Sequence, residues 1–80
     1  MNLNEVIAQT NRIFIDILED DEIILKEETT ADDIEEWDSL NHIQLIVAIE
    51  KHFNIKFTSI EIQSFKNVGE MCETILKKLS

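Results

Sequence analysis

The residues of this chain that could do chemistry lie close together at Asp38-Ser39-Leu40, with His42 three positions beyond the serine. An apolar pattern of helical spacing opens at that point, directly after a long acidic segment, so the Ser39 hydroxyl is expected at a helix N-terminus. Free backbone N–H groups and the positive end of the helix dipole stabilise a covalently attached phosphate there, by roughly 1 kcal/mol. A second chemistry is nucleophilic attack by Ser39 with His42 as its base. That needs a carboxylate to orient the imidazole and a site for an oxyanion, and a chain with one glycine advertises neither. A third reading makes Asp38-Ser39 a plain helix cap, which three residues alone do not exclude. Elsewhere the chemistry is thin. His42 and His52 are ten apart and Cys72 lies on another helix, so no ligand spacing points to zinc, and both histidines read as surface residues. Cys72 falls on an apolar stripe and reads as a small core residue. The acids between residues 16 and 38 lack the alternating pattern and mid-loop glycine of an EF-hand, leaving only diffuse attraction of divalent cations.

The elements that must position Ser39 follow from periodicity. Val6, Ile7, Phe14, Ile17 and Leu18 predict a helix from Leu3 to about residue 18, capped by Asn2 with Glu5, and Ile13 and Ile15 widen its buried face. The dense charge from Glu19 to Asp38 disfavours a continuous helix and predicts an ordered loop. Its expected anchors are Ile23, Ile24, Leu25, Ile34 and Trp37, with Trp37 as a lid over the bundle. Helix two is expected from Ser39, with Leu40, Ile43, Ile46, Val47, Glu50 and Phe53 as its main face. Leu45, Ala48 and Ile49 widen that face, which predicts a central helix flanked on more than one side. Thr58 with Glu61 caps a short third helix carrying Ile60, Ile62 and Phe65. Asn67 and Glu70 stand in capping-box order before a last helix with the stripe Val68, Met71, Cys72, Ile75, Leu76 and Leu79, closed by Lys77 and Lys78. The fold class is all-α, an up-and-down bundle of three longer helices and one short helix with a long first loop.

Eighty residues predict one domain, residues 1–80, and leave little room for a deep cleft. The formal net charge of −10 and a pI near 4.4 argue against nucleic acid or an anionic membrane as partner and favour basic protein surfaces. Residues 16 to 38 hold most of the acids and Lys26 as their one base, so the charge crowds toward Ser39. One cysteine permits no internal disulfide, and neither a signal-peptide pattern nor a bilayer-length apolar run occurs. A cytoplasmic monomer without membrane insertion is expected.

The stretch from Trp37 to Phe57, WDSLNHIQLIVAIEKHFNIKF, resembles the central segment of acyl carrier proteins. The likeness runs through Trp37-Asp38-Ser39-Leu40, Ile43, Leu45, Ile49-Glu50, Phe53-Asn54-Ile55 and Asn67-Val68-Gly69. It implies a 4'-phosphopantetheine arm on Ser39, installed from coenzyme A by a phosphopantetheinyl transferase. It implies a carrier with no catalytic residue and no metal site of its own. Acyl or aminoacyl intermediates would ride as thioesters between acyl-loading ligases, synthases and transferases with basic docking patches. Two departures stand out. The glycine common three residues before the motif serine is Glu36 here, and acids common two and five after it are Asn41 and Gln44. The thinned acidic face implies a dedicated pathway, for a secondary metabolite, a modified sugar or an aminoacyl group, with Asp38, Leu40, Ile43 and Glu50 in the docking surface. Ile43, Val47, Ile60, Ile62 and Ile75 are the candidates to part around an acyl chain. The competing function is a non-covalent helical adaptor in which Ser39 is only a cap and apolar helices bind a partner helix.

Overall fold

A computed structural model describes all 80 residues as four α-helices joined by loops: α1 (Leu3–Leu18), α2 (Ser39–Phe53), α3 (Ser59–Ser64) and α4 (Val68–Leu79), with one 3-10 turn at Ala31–Asp33. The helix starts obey local chemistry. Asn2 Oδ1 accepts from the Glu5 N–H at 2.9 Å while Glu5 Oε1 accepts from the Asn2 N–H at 3.0 Å, and Thr58 and Glu61 repeat that reciprocal pair at α3. At α4 only half of the expected box forms. Asn67 Oδ1 accepts from the Glu70 N–H at 2.8 Å, but Glu70 Oε1 takes the Lys66 N–H instead.

The core is one cluster of 18 buried residues from α1, α2, α4 and the loops between them. α1 packs against both α2 and α4 through Val6, Thr10, Ile13, Phe14 and Leu18, so Ile13 belongs to a wide buried face as expected. α2 turns differently from the expectation. Leu45, Ile46, Ile49 and Phe53 are buried, whereas Leu40, Ile43 and Val47 are 71%, 53% and 44% exposed. Residues 45, 46, 49 and 53 form the stripe that meets α1. The parallel stripe at 40, 43 and 47 faces out because six-residue α3, which buries no residue, is too short to cover it. Ile60 likewise points to solvent, so Ile43, Val47 and Ile60 are not core residues.

The first loop is ordered by specific bonds as well as by apolar anchors. Asn11 of α1 clamps it, donating from Nδ2 to the Ile23 carbonyl at 3.1 Å and accepting from the Leu25 N–H at 2.6 Å. Fixing Ile23 and Leu25 inward on an extended segment turns the residue between them outward, which corrects the expectation for Ile24. Ile23, Leu25, Ile34 and Trp37 are buried anchors as expected. The loop then joins the start of α4, where the Val68 N–H donates to the Thr29 carbonyl and the Gly69 N–H to the Glu27 carbonyl, both at 2.8 Å. No helix is long and apolar enough to cross a membrane.

Candidate functional site at the start of α2

Ser39 is the first residue of α2, and its position is set by Asp38 and Asn41. Asp38 caps the helix, its Oδ1 accepting from the Asn41 N–H and its carbonyl from the His42 N–H, both at 2.8 Å. Asn41 Nδ2 donates to the Glu36 carbonyl at 2.8 Å and ties the end of the first loop to the same turn. Ser39 itself is exposed, and its hydroxyl is free of intramolecular bonds. The N–H groups of Ser39 and Leu40, at the head of the helix, are likewise free.

Trp37 is the expected lid. Its indole is 91% buried, edge-on to Phe14 at 4.9 Å between ring centroids. His42, expected as a plain surface residue, is a bridge. Its Nδ1 accepts from the Trp37 indole N–H at 3.0 Å, and its Nε2 lies 3.1 Å from the Ile62 carbonyl on α3. Indole can only donate, so Nδ1 is the bare nitrogen and Nε2 carries the hydrogen, donating to Ile62. Both ring nitrogens are therefore engaged away from Ser39, which removes the base that a hydrolytic Ser39 needs. His52 is exposed, with Nε2 2.7 Å from Gln9 Oε1. Cys72 is buried on α4. Burial pushes its thiol up to about 11 from an ordinary 9.0, with its Sγ 3.7 Å from Thr10 Oγ1.

Beside Ser39 runs an open groove of about 630 Å³, with Ser39, His42 and Ile43 on one wall and Ile62, Phe65 and Lys66 on the other. The helix start thus gathers Asp38, Ser39, Leu40 and Ile43. It does not gather Glu50, which lies eleven residues on, about 16 Å along the axis, with its Oε2 accepting from the Phe57 N–H at 2.8 Å. Sequence reasoning missed the roles of His42 and Asn11. Asn11 carried one signal, a polar residue next to a buried stripe, whereas nothing local marked His42.

The site suits a phosphopantetheine group. An open hydroxyl faces solvent, two free N–H groups are at hand for a phosphate, and a groove of mixed polarity lies alongside.

The family described as phosphopantetheine attachment site matches residues 11–75. An acyl carrier protein of Thermosynechococcus vestitus is 30% identical over 100% of this chain and 99% of its own length. One from Cyanidium caldarium is 40% identical over 54% of this chain, and that match spans half of the relative's length. The solution NMR structure of a holo acyl carrier protein from Geobacter metallireducens superimposes with a TM-score of 0.87 at 44% identity, covering 92% of this chain and 85% of that one. The chain belongs to the phosphopantetheine-binding acyl carrier protein family. It is a carrier of acyl intermediates on a covalently attached 4'-phosphopantetheine, and not an enzyme.

Proposed function

We propose that Ser39 is the attachment residue and that residues 1–80 act as a single carrier domain serving a dedicated pathway. The observation that carries this reading is the exposed, unbonded Ser39 hydroxyl at the head of α2, the one of the three longer helices that begins with a hydroxyl residue. The arm supplies a terminal thiol that holds the acyl or aminoacyl cargo as a thioester. The chain's own residues do the rest. Asp38 fixes the first turn of α2, the Ser39 and Leu40 N–H groups face the phosphate, and Lys66 offers a cation across the groove.

The phosphopantetheinyl transferase and the enzymes of the pathway are the partners. Asp38, Leu40 and Ile43 form the centre of the docking surface, Val47 extends it, and Glu50 marks its far border. The acids of the first loop attract a basic rim on the partner, and the apolar stripe at Leu40, Ile43 and Val47 meets an apolar centre. Because Asn41 and Gln44 stand among these residues, housekeeping fatty-acid enzymes should turn this carrier over poorly, and unimpaired turnover by them would sink the dedicated-pathway reading. A cytoplasmic monomer that engages neither nucleic acid nor membrane completes the proposal.

The test of Ser39 is intact mass after incubation with coenzyme A, magnesium and a promiscuous transferase already shown to load a control carrier. A phosphopantetheine-sized gain in wild type and none in folded Ser39→Ala is expected. A gain that survives in Ser39→Ala, or no gain in wild type, overturns the assignment.

A further inference from the structure

His42 closes hydrogen bonds to two other parts of the chain. The Trp37 indole donates to Nδ1 at 3.0 Å, the two rings lying nearly parallel at 27° with 6.0 Å between centroids. Nε2 donates to the Ile62 carbonyl at 3.1 Å. α3 has few other ties. It buries no residue completely, and it is held otherwise by the partly buried Ile62 and Phe65 packed against the core, Phe65 edge-on to Phe57 at 5.5 Å, and by the Lys78–Glu61 ion pair at 3.0 Å. The His42 bond joins α3 to α2 inside the groove beside Ser39, since both Ile62 and His42 line it.

We propose that His42 is a positioning residue: its neutral Nε2–H form bridges Trp37 and Ile62 and sets the width of the groove beside Ser39, and its protonation releases Trp37 and loosens the α3 wall. A proton on Nδ1 points at the indole N–H, donor against donor, and that bond is lost. The charged groups that share the groove are Asp38, from the start of α2, and Lys66, from the link after α3. Asp38 is committed to the Asn41 N–H, Glu61 on α3 is committed to Lys78, and the loop residue Glu36 presents its carbonyl to Asn41 Nδ2. No carboxylate is left in place to seat an imidazolium as the indole N–H and Ile62 carbonyl seat the neutral ring. The consequence for the arm rests on Ser39 as its attachment point, whereas the bridge itself does not.

Trp37 is the only tryptophan and the chain has no tyrosine, so intrinsic emission reports on this bond directly. The apo protein is titrated with acid across the range in which it stays folded, as wild type, His42→Gln and His52→Gln. Glutamine can accept from the indole and donate to the Ile62 carbonyl without titrating. A sigmoidal emission change is expected in wild type and His52→Gln and none in His42→Gln, with the Ile62 and Gln63 amide resonances of wild type moving on the same curve. A flat wild-type trace, or the same curve in His42→Gln, overturns the proposal. On the loaded protein at neutral pH, a small aromatic disulfide should capture the arm's thiol several-fold faster in His42→Ala than in wild type, with His42→Gln matching wild type. Equal rates in all three overturn the role in the groove. Failure of every variant to load would refute Ser39 instead, and the apo emission would still decide the bridge.

Discussion

Ser39 and Cys72 both carry nucleophilic atoms, and the fold treats them in opposite ways. The serine is open and unbonded, while the thiol is buried against Thr10 and pushed up to about 11. Only the thiolate is reactive, so at neutral pH Cys72 is both shielded and protonated. Thiol titration of the native apo protein is therefore expected to find no reactive group, one after denaturation, and one in the native loaded protein, belonging to the arm. A fast-reacting thiol in the native apo protein would contradict the buried placement. The same shift ties stability to alkaline pH. The folded thiol holds its proton more tightly than the unfolded one, so its contribution is complete below pH 9.0 and is lost as pH rises toward about 11. That loss amounts to roughly 2–3 kcal/mol, and Cys72→Ser, which has no thiol to ionise, should show a flatter urea midpoint across that window. Glu61 has the opposite sign. The Thr58 N–H, then Lys78, hold its carboxyl below the ordinary 4.5, so its contribution is present above that value and fades as pH falls through the lowered one. The gap in urea midpoint between wild type and Glu61→Gln should accordingly be widest above pH 4.5 and close in acid.

At the scale of elements, Gly69 shows how the first loop and α4 are joined. A Cβ at this position would stand 2.9 Å from the Glu27 carbonyl oxygen, the same atom that accepts the Gly69 N–H at 2.8 Å. Replacing glycine by alanine inside a helix ordinarily stabilises by about 0.5–1 kcal/mol. Here the clash is with backbone, so Gly69→Ala should destabilise by about 1–3 kcal/mol, and a higher urea midpoint would refute the close approach. The helix C-termini lack glycine: Glu19 and Asn54 take the left-handed position at φ 54° and 58°. Glu19→Gly relieves the larger side chain there and should stabilise by up to about 1 kcal/mol, with a smaller gain for Asn54→Gly, since asparagine tolerates that region. A loss in Glu19→Gly would mean that its side chain does more than the backbone angle suggests. Helix starts were legible in the sequence because a cap and its partner lie within three residues, as at Asn2–Glu5 and Thr58–Glu61. Ser39 was legible for the same reason, standing next to its cap. The facing of α2 was not, because apolar residues on both its stripes give periodicity no way to choose, and burial went to whichever stripe met α1. The Asn11 clamp spans 12 to 14 residues and the His42–Ile62 bond 20. Such partners are chosen by the assembled fold, which is why the histidine read as a surface residue.

Taken whole, the molecule measures 31 × 25 × 22 Å and carries a net charge of −10 with a single ion pair, Lys78–Glu61. Its acids thus repel one another with little local relief. They concentrate along the first loop, where Asp20, Glu22, Glu28, Asp33, Glu35 and Glu36 border a shallow groove of about 590 Å³. At about 10 mM salt the Debye length is roughly 30 Å and the repulsion spans the whole protein, whereas at physiological salt it is about 8 Å and only near neighbours interact. Unfolding separates these charges, so screening favours the folded state, and a divalent cation does so more efficiently. For a domain of this size 1 kcal/mol corresponds to about 4–8 °C in Tm, and a gain on that scale is expected between low and physiological salt, with a steeper rise in magnesium. The test has an internal control. In the double variant Asp20→Asn, Glu22→Gln, the same salt series should start from a higher Tm and climb less, because two of the crowded charges are gone. A Tm that ignores salt in wild type, or an unchanged slope in the double variant, would mean that the loop's bonds to Asn11, Val68 and Gly69 outweigh its charge.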